Sequence, residues 1–345
     1  MHIISASRQT DLPAFYTGWL IQRIREGFCY WTHPYTKQSY SLSLKPEDCL
    51  AFVFWTRNPA PLLPYLDELD ALGHHYYFIF TLLGYPPPIE THVPKVSEAV
   101  RTFKRLAERI SPERVIWKYD PIVFSSLTPL AYHVDRFGEI AESLAGATER
   151  CSYAWYLPLG YAHSPPGLHF RNPTPSERLS LLQHMLAITR ANGMQLSTCF
   201  NRDYLLVPEI QPGSCIDMQL LRRITSRPDL DLVSAPELSR SLRAMQKEKS
   251  MIRAVRSLGS QAKNMLLGPT PSPCRCVGSY DIGSPNTCLG GCSYCFATQS
   301  LEAARQNYRA HNPSGAFLLQ PQDLPEPGSE RPFQELPVLT VKKGP

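Results

Sequence analysis

From His2 to Ile224 the sequence repeats one phrase six times: a short run apolar on both faces, a polar or proline break, then an amphipathic stretch with helical spacing. "HIISAS" (His2 to Ser7) leads, through Thr10 or Asp11 as a cap, into "LPAFYTGWLIQRIREG", whose proline sits in the first turn where its missing N–H costs little. "CLAFVFWT" (Cys49 to Thr56) precedes a helix near 59–72, "YYFIFTL" (Tyr76 to Leu82) one near 96–110, and "RVIWKYD" (Arg114 to Asp120) one near 130–144. "CSYAWYLP" then precedes "SERLSLLQHMLAITRANG", and "QLSTCFN" a helix near 217–224. Strands apolar on both faces belong inside a parallel sheet covered by helices. Regular alternation over more than two hundred residues points to an α/β fold of TIM-like (β/α) barrel type rather than an open doubly wound sheet.

A further unit ends the pattern. "CVGSYDIG" (Cys276 to Gly283) reads as a strand, a cysteine-rich loop follows, and "SLEAARQNYRAHN" (Ser300 to Asn312) reads as a helix. If this unit is the first of a permuted barrel, "HIISAS" becomes the second strand. The expected organisation is barrel units over 1–228 with a small hairpin inserted near 30–44, a basic helical insert at 229–270, the cysteine-bearing βα unit at 271–319, and a proline-rich, charged, disordered tail at 320–345.

The formal charge is +5, from 35 Lys+Arg against 30 Asp+Glu, too mild to announce a nucleic-acid or membrane protein. The surplus is local, because residues 221–270 hold ten basic side chains against four acidic ones. There Leu238, Leu242, Met245, Ile252 and Val255 share one helical face and the cations the other. Such a helix is ordinarily a solvated one; its functional reading is a landing surface for an acidic electron donor such as flavodoxin or ferredoxin, with nucleic acid less favoured. The start of the chain carries no signal-peptide pattern and no apolar run reaches membrane-helix length. A cytoplasmic location without membrane contact is therefore expected.

Ten cysteines in a reducing compartment are not expected to form disulfides. Cys29, Cys49, Cys151, Cys199 and Cys215 are scattered and read as small core hydrophobes. Cys274, Cys276, Cys288, Cys292 and Cys295 fall within twenty-two residues, and the last three form CxxxCxxC in "NTCLGGCSYCFAT". Structural zinc usually takes paired CxxC knuckles, and only one CxxC exists here, although Cys274 or Cys276 could add a fourth thiolate. A thioredoxin-like pair would leave Cys288 unexplained. Three thiolates on one loop suit a 4Fe-4S cluster, each holding one iron and leaving the fourth iron without a local ligand.

CxxxCxxC with Tyr294 before its last cysteine and Phe296 and Ala297 after it resembles the cluster loop of radical S-adenosylmethionine (SAM) enzymes. That resemblance implies a (β/α) barrel, Cys288, Cys292 and Cys295 as cluster ligands, SAM on the open iron, and reductive cleavage of SAM to a 5′-deoxyadenosyl radical that attacks a small-molecule substrate. The superfamily normally carries the loop near the N-terminus. From "ISASRQTDLPAFY" through "FVFWTRNPAPLLPYLDEL", "YYFIFTLLGY" and "ERVIWKYDPI" to "GSYDIGSPNTCLGGCSYCFA", the chain also resembles a bacterial family known only as a domain of unknown function, number eighteen forty-eight. Its members look like radical-enzyme relatives with a C-terminal cysteine loop. This chain departs from the family pattern in its basic insert and in reading "CRC" at 274–276, which leaves the roles of Cys274 and Cys276 open. The cysteine loop is also similar to that of spore photoproduct lyase, which implies a nucleic-acid repair alternative; a closed cluster without SAM is another.

Chemistry in a parallel barrel gathers at the C-terminal ends of its strands. Those positions offer Arg8, Lys118 and Asp120 as candidate catalytic residues, and Trp55, Thr81, Asn201 and Tyr294 as candidate cofactor contacts. Charges there are costly to bury unless paired or bound to a ligand. The structural competitor is a rim ion pair between Arg8 and Asp11 or Asp120, with Trp55 as rim packing. The usual glycine-rich SAM-binding signature is absent, and "LLGYPPPIE" is a faint echo of it.

Overall fold

The computed structural model describes residues 1–32, 39–157, 165–199, 201–228, 275–321 and the backbone of 334–335. In chain order the elements are β1 (His2–Ala6), α1 (Leu12–Phe15), α2 (Thr17–Glu26), β2 (Phe28–Thr32), β3 (Ser39–Ser43), β4 (Cys49–Thr56), α3 (Leu66–Ala71), β5 (Tyr76–Thr81), α4 (Val96–Ile110) and β6 (Val115–Ile122). They continue with α5 (Leu130–Leu144), β7 (Arg150–Trp155), α6 (Pro175–Ala191), β8 (Gln195–Thr198), β9 (Gln211–Pro212), α7 (Met218–Ile224), β10 (Tyr280–Asp281), α8 (Leu301–Ala310) and β11 (Gln334–Glu335).

Eight strands form one parallel sheet in the order β10-β1-β4-β5-β6-β7-β8-β9. The late strand β10 lies beside β1, pairing Ile4 with Tyr280 and Ser5 with Asp281, so the cysteine-bearing unit sits spatially ahead of the first one. β2 and β3 pair antiparallel, and β11 adds to β3 in parallel.

Alternation along the strands separates two apolar cores, as a sheet buried on both faces requires. Ile4, Phe52, Phe54, Phe78, Phe80 and Trp117 face the helices, where they meet Trp19, Leu20, Phe103, Phe137 and Leu181. Ile3, Val53, Tyr77, Ile79 and Ile116 face the other way and meet Leu220 and Leu221 of α7. The second face is concave. A flat sheet would hold β8 and β10, six strand positions apart, roughly 29 Å from one another. The sulfurs of Cys199, just after β8, and Cys276, just before β10, are 3.8 Å apart.

The curl does not become a closed barrel among the described residues. β9 and β10 are two residues each and do not pair, and Pro212 in β9 has no N–H to give to a ladder. Among the described residues the seam between them carries one backbone hydrogen bond, Val277 N–H to Ile216 O at 3.1 Å. Expectation and structure differ in three further places. The first amphipathic stretch breaks at Tyr16 into α1 and α2. The stretch near 59–72 gives only a 3-10 turn, Leu63–Tyr65, and the short α3. And α7 packs against the concave face instead of covering the outside; Arg150 at the start of β7 holds its N-cap Asp217 at 2.5 Å. The basic insert at 229–270 lies outside the described residues, as does the tail beyond 321 apart from β11. No described helix is long and apolar enough to cross a membrane.

Candidate iron–sulfur loop at the strand ends

Because every strand of the sheet runs the same way, all their C-terminal ends share one rim, and the loop after β10 stands on it. The loop is anchored from both sides. Asp281 gathers Ser5 (3.0 Å), Ser7 (2.5 Å) and the backbone N–H groups of Arg8 (2.9 Å) and Gly283 (3.0 Å). A Cβ at Gly283 would overlap Ser7 Oγ, so only glycine lets the chain pass there. Thr10 accepts from Ser284 N–H (2.9 Å), and Tyr16 donates to Thr287 O (3.0 Å). On the far side Ser300 caps α8, and Asn307 donates to Asn286 O at 2.8 Å.

The cysteine segment itself lies along residues 89–92. Ser293 N–H donates to Ile89 O (2.9 Å), His92 N–H to Gly290 O (3.1 Å) and Thr91 Oγ1 to Gly291 O (2.8 Å). Gly291 has φ +63°, and a Cβ there would lie 2.8 Å from His92 and 2.9 Å from Thr91, so this step of CxxxCxxC needs glycine twice over.

Under the loop lies a buried charged cluster. Arg57 forms an ion pair with Glu90 at 2.7 Å. Tyr294 OH takes a hydrogen bond from Arg57 and donates one to Glu90. Asp11 caps α1 and accepts from Thr56 Oγ1 (2.6 Å) and Arg57 N–H (2.8 Å); burial lifts its pKa to about 6 against those hydrogen bonds. Burial opposes the Arg57 charge, and Cys292, Glu90, Tyr294 and Asp11 around it more than offset that. Burial likewise pushes the Cys292 thiol up to about 12, with Arg57 pulling down and Glu90 and Cys295 adding to the rise. Cys288 rises by burial too, then by Asp11, Cys292 and Cys295. The metal-free thiols at Cys288 and Cys292 therefore keep their protons at neutral pH, and a bound cation would have to displace them.

The three loop sulfurs converge without crowding. A Cβ at Gly290 would be 3.6 Å from Cys288 Sγ and 3.7 Å from Cys292 Sγ, and Cys295 Sγ accepts from Thr298 N–H at 3.3 Å. They are not among the metal-ligating groups whose donor atoms all lie within 4.8 Å of one another.

The other expected residues fall in different places. Arg8 is exposed, its guanidinium 5.0 Å from the Trp55 ring, while Asp11 is engaged with Thr56 and Arg57. Trp55 packs on the concave face, and its buried Nε1 has no acceptor among the described residues. Thr81, half-buried, pairs in register with Lys118, and Asn201 donates to Thr198 Oγ1 at 3.3 Å. Lys118 is buried 3.3 Å from Asp120; burial works against its charge, but Cys215, Asp120 and Cys199 raise its pKa overall. Tyr294 is buried with its hydroxyl committed to Arg57 and Glu90, a supporting position for the loop. Cys276 meets Cys199 and Cys215, two residues the sequence reads as ordinary core. Cys274 lies outside the described residues. Sequence reasoning missed Glu90 and Asp281, whose side-chain partners Arg57, Tyr294, Ser5 and Ser7 are 33 or more positions away and leave no local pattern.

Neither the curated proteins nor the solved structures offer a match to this chain. A family model does, over residues 3–297, a span that takes in all three loop cysteines and, but for His2, the parallel sheet. The chain belongs to the family described as a domain of unknown function, DUF1848.

Proposed function

We propose that this is an iron–sulfur protein of radical SAM type, with Cys288, Cys292 and Cys295 holding a 4Fe-4S cluster. The supporting observation is the setting of those cysteines: all three on one loop at the C-terminal rim of a parallel sheet, next to β1. When bound, such a cluster supplies an iron free for SAM and the electron that cleaves it. The chain's own residues do the rest. Glycine at 291 and the hydrogen bonds to 89–92 hold the loop in shape. Buried Arg57 places positive charge beside Cys292, where it would offset the charge of that residue's thiolate. Arg8, exposed with its guanidinium 5.0 Å from the Trp55 ring, forms the rim surface offered to SAM or substrate, with Trp55 packed beneath it. Thr81 and Asn201 stand on the same rim as further contacts, and Asp120, one-third exposed, presents a carboxylate to the concave side.

Anaerobic reconstitution of the full chain should load about four irons, and dithionite with SAM should then release 5′-deoxyadenosine. Cys292→Ala should abolish both. A Cys292→Ala protein that still released 5′-deoxyadenosine would sink the assignment, and an iron-loaded protein that never cleaved SAM would favour a closed cluster used for electron transfer.

A further inference from the structure

Three more cysteines meet on the concave face, between the floor made by α7 and the rim. Cys199 follows β8, Cys215 follows β9 and Cys276 precedes β10, yet their sulfurs all lie within 4.8 Å of one another. Cys199 and Cys215 are buried and Cys276 is half-buried. The sulfurs sit among donors. Lys118 Nζ is 3.2 Å from Cys215 Sγ, and Cys276 Sγ accepts from the backbone N–H groups of Cys215 (3.2 Å) and Ile216 (3.5 Å). Neutral thiols are weak acceptors, and these three donors on two sulfurs are placed to stabilise the thiolates that a bound metal ion requires.

The spacing narrows what the thiolates would hold. A zinc ion bound tetrahedrally at about 2.3 Å sets its sulfurs about 3.8 Å apart; Cys199 and Cys276 are 3.8 Å apart. A disulfide needs about 2.05 Å, and an iron–sulfur cube places each thiolate on a separate iron and so wider apart. The location gives the site a purpose, since β9 and β10 leave the sheet open and these residues straddle the seam.

We propose that Cys199, Cys215 and Cys276 form a second, mononuclear metal site that binds zinc(II) and clamps the open seam of the sheet. One divalent cation with three thiolates carries one net negative charge, which buried Lys118, 3.2 Å from Cys215 Sγ, offsets in part, since Asp120 at 3.3 Å shares its charge. Zinc's fourth position falls to a donor outside these three. The site shares no residue with the Cys288, Cys292 and Cys295 loop, so the two assignments fail separately.

The test is metal analysis of the full chain, expressed with added zinc and purified without oxygen. Wild type should carry about one zinc per chain, and so should a variant with Cys288, Cys292 and Cys295 all changed to Ala. Cys199→Ser and Cys215→Ser should lose the zinc while keeping the capacity to load iron. Should those variants not fold, wild type alone decides: an organomercurial should release zinc in step with thiol modification, and cobalt(II) in place of zinc should give the visible bands of a tetrahedral thiolate site. Wild type without stoichiometric zinc and without those cobalt bands overturns the proposal. So does an iron–sulfur chromophore that survives in the triple Ala variant, or a Cys199–Cys276 disulfide in the anaerobic protein.

Discussion

At the scale of single residues, the loop depends on charges that the sheet buries beneath it. Glu90 has a side chain only 1% exposed and Arg57 one 15% exposed, so removing either leaves the other charge unpaired and largely without water. Glu90→Ala should therefore destabilise the protein by about 3–5 kcal/mol in urea unfolding, and replacing Arg57 as well, with an apolar residue of similar size, should recover most of the loss. A loss below about 1 kcal/mol in the single variant would mean that the pair is solvated. Legibility at this scale followed sequence distance. Cys288, Cys292 and Cys295 can be read together because one loop carries all three. Cys199, Cys215 and Cys276 come from three segments up to 77 positions apart, and only the curl of the sheet unites them. Arg57 directly follows β4 at a strand end, whereas nothing near Glu90 marks it as its partner.

At the scale of elements, strands β1, β4, β5 and β6 and helices α4 and α5 could be read from apolar runs and helical period, because both faces of the sheet are covered and the helices are long enough to show a stripe. α7 was legible as a helix but not in its position. Seven residues with Leu220 and Leu221 adjacent do not say which side of a sheet they will cover. The structure puts both leucines in the concave core with Ile3, Val53 and Ile79. Leu220→Ala should accordingly cost about 2–5 kcal/mol in denaturant unfolding, whereas a leucine on a solvent-facing helix would cost within about 0.5 kcal/mol.

At the scale of the whole molecule, the neighbour relation of β10 and β1 follows from reading the terminal strand–loop–helix as one more repeat of the upstream phrase. Closure of the sheet does not follow from the same reading. Its last two strands are too short to pair, and the seam is left to Val277, Ile216 and the cysteines beside them. The central claim is that the rim loop presents a cluster open to SAM, and it concerns the assembled protein. Electron paramagnetic resonance of the anaerobically reconstituted, dithionite-reduced full chain, recorded with and without SAM, tests it most directly. A reduced-cluster signal whose g values shift when SAM is added is the predicted result; a signal unchanged by SAM would contradict the claim.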